Sequence, residues 1–103
     1  IRFLAMEVIW SAKARITYFN VIDYLSRNWT IKEIKQFELR TQIIIDTIKK
    51  YPKIFPQSIA HGHIRRAVID KNNSLFYKIE LQNKKIYIIN FFDNRQNPSY
   101  SKY

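Results

Sequence analysis

Residues 30–33 read Thr-Ile-Lys-Glu, a capping box. The threonine hydroxyl takes a free backbone N–H of the first turn, and the glutamate reaches back to the threonine N–H. From there Ile34, Phe37, Ile44, Ile48 and Tyr51 recur on one helical face, with Thr41 the polar member of the stripe. Lys49 and Lys50 suit the negative end of the helix dipole, and Pro52 stops the helix. Upstream, Ser11 caps a run in which Ala14, Tyr18, Val21, Leu25 and Trp29 are spaced by four, three, four and four; it ends near Asn28–Trp29. Two helices joined by two or three residues fold back as an antiparallel hairpin. Whatever else the chain forms has to bury the apolar stripes of both.

The partner of that hairpin is a sheet. "EVIW" (7–10) reads as a short strand ahead of it, and "PKIFPQSIAHG" as a proline-framed loop after it. Three strands follow, Ile64–Ile69, Leu75–Leu81 and Ile86–Phe92, separated by the turn sequences "DKNNS" and "QNKK". In the middle strand Leu75, Tyr77, Ile79 and Leu81 share one face; Phe76, Lys78 and Glu80 share the other. The last strand is apolar on both faces except at Asn90, which places it inside the sheet. The predicted class is α+β, in the order β-α-α-β-β-β. An N-terminal strand and an antiparallel helical hairpin pack on one face of a mostly antiparallel four-stranded sheet, whose other face stays partly open. One domain spans residues 1–103. Met6 is the only methionine, so Ile1 to Ala5 read either as an extension upstream of the natural start or as part of the first strand.

Composition narrows the chemistry. At 47% hydrophobic the chain can build a core without disulfides, and with no cysteine it has neither a disulfide framework nor a thiolate zinc site, which fits a reducing cytoplasm. One glycine excludes Gly-rich phosphate loops, and no cofactor motif is present, so no cofactor is expected. The apolar runs are too short or too broken for a membrane span or a signal peptide. The net charge is +10, with eight Lys/Arg against three acids in residues 61–103 alone. Such an excess favours a polyanionic partner, nucleic acid or an acidic protein segment, or else simply a well-solvated surface.

The rarest residues gather in "HGHIRRAVI" (61–69), which holds both histidines, the single glycine and the only adjacent arginine pair. In a strand Arg65 and Arg66 point to opposite faces, so one faces the open side and the other the helix edge or rim. Gly62 before them permits a turn or a close backbone approach. Arg95 follows the last strand and is expected to reach the same open face, where guanidiniums make a phosphate grip. Tyr77, Tyr87 and Tyr100 offer stacking or a proton donor. The plainer reading pairs the arginines with Asp70, Asp93 or Glu80 and packs the tyrosines. His61 and His63 lack a third ligand at suitable spacing, so no metal is expected; His63 suits acid–base work near a phosphate.

Taken in order, "EVIWSAKA", "YLSRNW" and an F…P pair ahead of "IRRAV…LFYKIE…IYIINFFDNRQNP" resemble the RelE/ParE superfamily of bacterial toxins, over Met6 to Pro98. The resemblance implies the same β-α-α-β-β-β sheet and a toxin encoded beside an acidic cognate antitoxin. It implies one of two activities in the cytoplasm: metal-independent cleavage of mRNA on the ribosome, or ParE-like inhibition of DNA gyrase without cleavage. For the ribonuclease, Arg65 and Arg95 would neutralise the scissile phosphate, and His63 or Tyr100 would handle protons, with Arg66, Lys78 and Tyr77 binding nucleic acid. One arginine of that pattern, just before the aromatic of the next strand, is replaced here by Ser74. "IRR" followed by an aromatic pair is frequent in ParE-like chains as well.

Overall fold

The computed structural model describes residues 6–95. Their order is β1 (Glu7–Trp10), α1 (Ala12–Asn28), α2 (Ile31–Lys50), β2 (Arg65–Val68), β3 (Asn73–Glu80) and β4 (Lys85–Asp93). The strands form one sheet in the order β1-β4-β3-β2. β1 runs parallel to β4, while β3 is antiparallel to both β4 and β2, so the sheet is mixed. The expected α+β order holds, and β4 is interior.

Both helices begin where their caps predict. Ser11 Oγ accepts the Ala14 N–H at 2.9 Å. At α2 the capping box forms, with Glu33 accepting the Thr30 backbone N–H at 3.0 Å and the Thr30 hydroxyl as well. That hydroxyl hydrogen bond is the main reason the Glu33 carboxyl sits below its ordinary range. Between Asn28 and Ile31 only Trp29 and Thr30 intervene, which leaves no room for anything but reversal.

The hairpin packs on one face of the sheet. Ala14, Phe37, Ile45 and Ile48 meet Ala67, Leu75, Tyr77, Ile86, Ile88 and Phe91 there, and Tyr18, Val21 and Leu25 lie against the same core. An aromatic group ties the layers: Tyr18 stands between Phe37 and Phe91, with ring centroids 5.4 and 5.0 Å away. The ends of the apolar stripes do not reach this core. Trp29 and Tyr51 are both exposed, because each lies just past its helix as the C-cap. On the opposite face a smaller cluster of Ile64, Phe76 and Phe92 is buried, with Ile89 packed against it.

Beyond Trp10 the chain leaves the sheet, and the far half of β4 loses its β1 neighbour. α1 covers that edge. Ser11 Oγ donates to the Ile89 carbonyl at 2.7 Å, and the Phe91 N–H donates to Thr17 Oγ1 at 2.9 Å. Side chains of the first helical turns thus satisfy backbone groups that a strand would otherwise have paired.

Candidate functional site

The register settles which arginine faces which way. Arg65 lies opposite Tyr77 and Arg66 opposite Phe76. Tyr77 belongs to the core under the helices and Phe76 to the cluster on the other face, so Arg65 is on the helix side and Arg66 on the open side. Arg65 donates to the carbonyls of Phe55 and Lys53 at 2.7 and 3.3 Å. Tyr77 is fully buried, and its hydroxyl donates to the Pro52 carbonyl at 2.6 Å. Burial pushes that hydroxyl up to about 12, against the opposing pull of the Arg65 charge. Together the two side chains pin the proline loop to the sheet. Tyr77 therefore has no stacking surface to offer, contrary to the expectation that it binds nucleic acid. Arg65 is not the open-face cation either.

Arg66 takes that position. Its Nε donates to Ser74 Oγ at 3.1 Å and its Nη2 to Asn94 Oδ1 at 2.8 Å. Ser74 also donates to Asn94 Oδ1, and Asn94 Nδ2 donates to the Asp70 carbonyl at 3.0 Å. The guanidinium is thus oriented by two strands and by the segment after β4. Lys78 is exposed on the same face, its ammonium 5.7 Å from the centroid of the Tyr87 ring. His63 is exposed two residues before β2. Gly62 has no positive φ, and a Cβ there would meet nothing within 4 Å, so neither role expected of it is needed.

Arg95 turns elsewhere. Its guanidinium grips Asp93, with Nη2 to Oδ2 at 2.7 Å. That hydrogen bond holds the Asp93 carboxyl below its ordinary range and raises Arg95, with Tyr24 of α1 adding to the effect. Arg95 therefore lies on the rim of a groove of about 1160 Å³ between α1, the first half of α2 and the end of β4. Arg65, Arg66 and Arg95 do not converge: one braces a loop, one faces the open side and one lines the groove. Tyr100 lies outside the described residues. Among the described residues no three of His, Asp and Glu gather as a metal-binding group, and no helix is long and apolar enough to cross a membrane.

What sequence reasoning missed is this groove. Lys13, Arg40 and Lys71 line it from three separate segments, with Tyr24 and Trp29 beside them. Helical spacing assigned Trp29 to the core, and no motif joins residues so far apart in the chain. The only signal available was the exception noted at Asn90, the single polar residue of β4's apolar run, which lines the groove too.

A helical hairpin on a mixed sheet ordered β1-β4-β3-β2 is the fold of RelE/ParE-type toxins. The chain superimposes on the toxin–antitoxin complex RelBE2 of Mycobacterium tuberculosis with a TM-score of 0.62 at 9% identity, over 92% of this chain and 98% of that one. For a YoeB/ParE toxin of Agrobacterium tumefaciens the TM-score is 0.63 at 11% identity, covering 85% and 98%. For the chromosomal ParDE system of P. aeruginosa it is 0.62 at 14%, covering 86% and 96%. No family sequence model and no curated protein matches the chain. At these identities the likeness is one of fold.

Proposed function

We propose that the chain is the toxin of a toxin–antitoxin pair and arrests growth by cleaving mRNA on the ribosome without a metal. The observation that carries the cleavage reading is Arg66. The ribonuclease pattern wants an arginine where this chain has Ser74; Arg66 reaches across from β2 and sets its Nε 3.1 Å from Ser74 Oγ. A guanidinium so held gives fixed donors for a phosphate whose charge grows in the transition state. The 2′-hydroxyl attacks the phosphorus, its proton passes to His63, and the leaving 5′-oxygen takes a proton from an acid such as Tyr100. Lys78 supplies further positive charge on the same face.

Induction in bacteria, followed by mapping of mRNA ends, tests this reading. Cleavage within ribosome-bound messages is expected, with an Arg66→Ala variant that melts normally slower by about a hundredfold, the scale for losing one preorganised donor. EDTA is expected to change nothing. Intact messages with gyrase-dependent DNA breaks would instead select ParE-like gyrase inhibition. That second reading is favoured by Arg65 and Tyr77, two expected site residues that are built into the scaffold.

The proposed partner is an acidic antitoxin. A chain of net charge +10 attracts acidic segments, and similar folds are found in a complex described as toxin–antitoxin and in a ParDE system. Co-expression with the adjacent gene and purification through a tag on this chain checks it. Failure to co-purify, together with harmless high-level production of this chain alone, would end the toxin reading.

A further inference from the structure

We propose that the loop after α2 docks an acidic protein segment through one large apolar side chain of that segment. The site is a shallow pocket of about 360 Å³ lined by Lys50, Tyr51, Pro52, Lys53, Ile54 and Leu81. Tyr51 is 61%, Ile54 55% and Leu81 60% exposed. Exposed apolar side chains are ordinary when scattered; gathered around a hollow they mark a contact surface. What sets this group apart is how firmly its backbone is held. The Tyr77 hydroxyl donates to the Pro52 carbonyl, and Arg65 donates to those of Lys53 and Phe55. The Ile54 N–H closes a turn onto the Tyr51 carbonyl at 3.0 Å, and the Arg66 N–H donates to the Pro56 carbonyl at 3.0 Å. Phe55 packs against the core. Tyr77 and Arg65 thus hold still a loop that leaves its own apolar side chains outside. A surface already fixed loses little freedom when a partner binds.

The lining selects the occupant. It holds two cations and no carboxylate. Lys50 and Lys53 are exposed, and neither ammonium has a hydrogen bond or ion pair to another described residue. The other walls are apolar apart from the Tyr51 hydroxyl. A nucleic-acid strand stacks its bases on successive aromatic faces, and here it would meet one ring among aliphatic walls. Residues 1–5, Ile-Arg-Phe-Leu-Ala, bring an arginine and no acid, so they do not match the two lysines. A leucine, isoleucine or phenylalanine flanked by aspartate or glutamate matches both parts. An apolar anchor inside a charged rim is the layout of a protein contact, where one buried side chain carries much of the affinity and the rim steers it. The inference deepens the reading of an acidic partner and rests on it for that partner's identity; the chemistry of the pocket does not.

The probe is a fluorescent peptide of glutamate and serine with one central leucine, beside a second in which serine replaces the leucine. Both are titrated against the purified full chain by anisotropy, and the first is mapped by amide chemical shifts. Shifts are expected at Tyr51, Lys53, Ile54 and Leu81. The leucine-free peptide should bind more than about tenfold more weakly, the scale for burying one such side chain. Ile54→Glu should weaken binding as much without moving the melting temperature. Lys50→Gln with Lys53→Gln, both at exposed positions, should weaken it and flatten its dependence on salt. The Ile54→Glu chain should also retain less of the adjacent gene's product in the co-expression experiment. If that product is retained equally, this site is overturned while the acidic-partner reading stands. If nothing co-purifies but the leucine peptide maps to the pocket, the site stands and only that reading falls. The proposal is overturned if the shifts lie elsewhere, if the two peptides bind alike, or if an oligouridylate or anionic vesicles occupy the pocket more tightly. It is equally overturned if the peptide binds only a variant that starts at Met6, which would make residues 1–5 the occupant.

Discussion

At the scale of single residues, the arginine pair shows how far alternation can be read. The sequence says that Arg65 and Arg66 face opposite ways; it does not say which face the helices take. That depends on pairing Arg65 with Tyr77, a register set by long-range packing. Tyr77 itself was placed correctly with Leu75 and Ile79, yet its hydroxyl suggested a surface role that its burial forbids. Its bond to the Pro52 carbonyl makes it a strut for the proline loop. Tyr77→Phe keeps the ring and leaves that carbonyl without its donor, so a loss of about 1 kcal/mol is expected in urea unfolding. The pH dependence has a defined sign. The folded hydroxyl titrates at about 12, against about 10 in an unfolded chain. Its contribution is complete below about pH 10 and is lost as the pH climbs to 12. The phenylalanine variant should lose less stability over that window than the parent. Equal alkaline losses in both proteins would assign the sensitivity elsewhere.

At the scale of elements, caps and breakers were legible because they are local chemistry. Ser11, Thr30 with Glu33, and Pro52 each act on backbone groups within a few residues, and α1 and α2 start and stop where they indicate. The cover over the far half of β4 was not legible, since it joins Thr17 to Phe91 across 74 residues. Thr17 Oγ1 donates to the Lys13 carbonyl at 2.7 Å while accepting from Phe91. A threonine in a helix is ordinarily a slightly poor choice, but here its hydroxyl closes a sheet edge. Thr17→Val keeps the shape and removes the acceptor, leaving the Phe91 N–H in a partly buried setting. A destabilisation of about 1–3 kcal/mol is expected, with faster amide exchange at Phe91 than at Ile88, which lies within the β1–β4 pairing. Unchanged exchange at Phe91 would mean that water serves that donor as well as Thr17 does. The variant bears on the groove too, because Thr17 lines it.

At the scale of the whole molecule, the charge of +10 was read from composition alone, while its layout needed the fold. Positive side chains stand on the open face at Arg66 and Lys78 and in the groove at Lys13, Arg40 and Lys71. In the groove they stand among the carboxylates of Glu33, Asp70 and Asp93. Only two ion pairs occur among the described residues, Arg27–Asp23 and Arg95–Asp93, and both arginines are largely exposed. Exposed pairs of this kind contribute about 0–1 kcal/mol and are screened by salt. Self-repulsion of a high net charge is screened as well, and it acts against the compact state. With so few attractions to lose, the second effect should win. Thermal unfolding at neutral pH should therefore move to higher temperature as potassium chloride rises from about 0.01 to 0.15 M, where the Debye length falls from roughly 30 to 8 Å. Folded protein that binds a polyanion gains further stability by mass action, so heparin at low salt should raise the midpoint more than chloride alone. That extra gain should fade as salt displaces the polyanion. A midpoint that falls with added chloride would show that attractions outweigh repulsion in the folded chain, and the excess of positive charge would then no longer stand as a reserve held for a ligand.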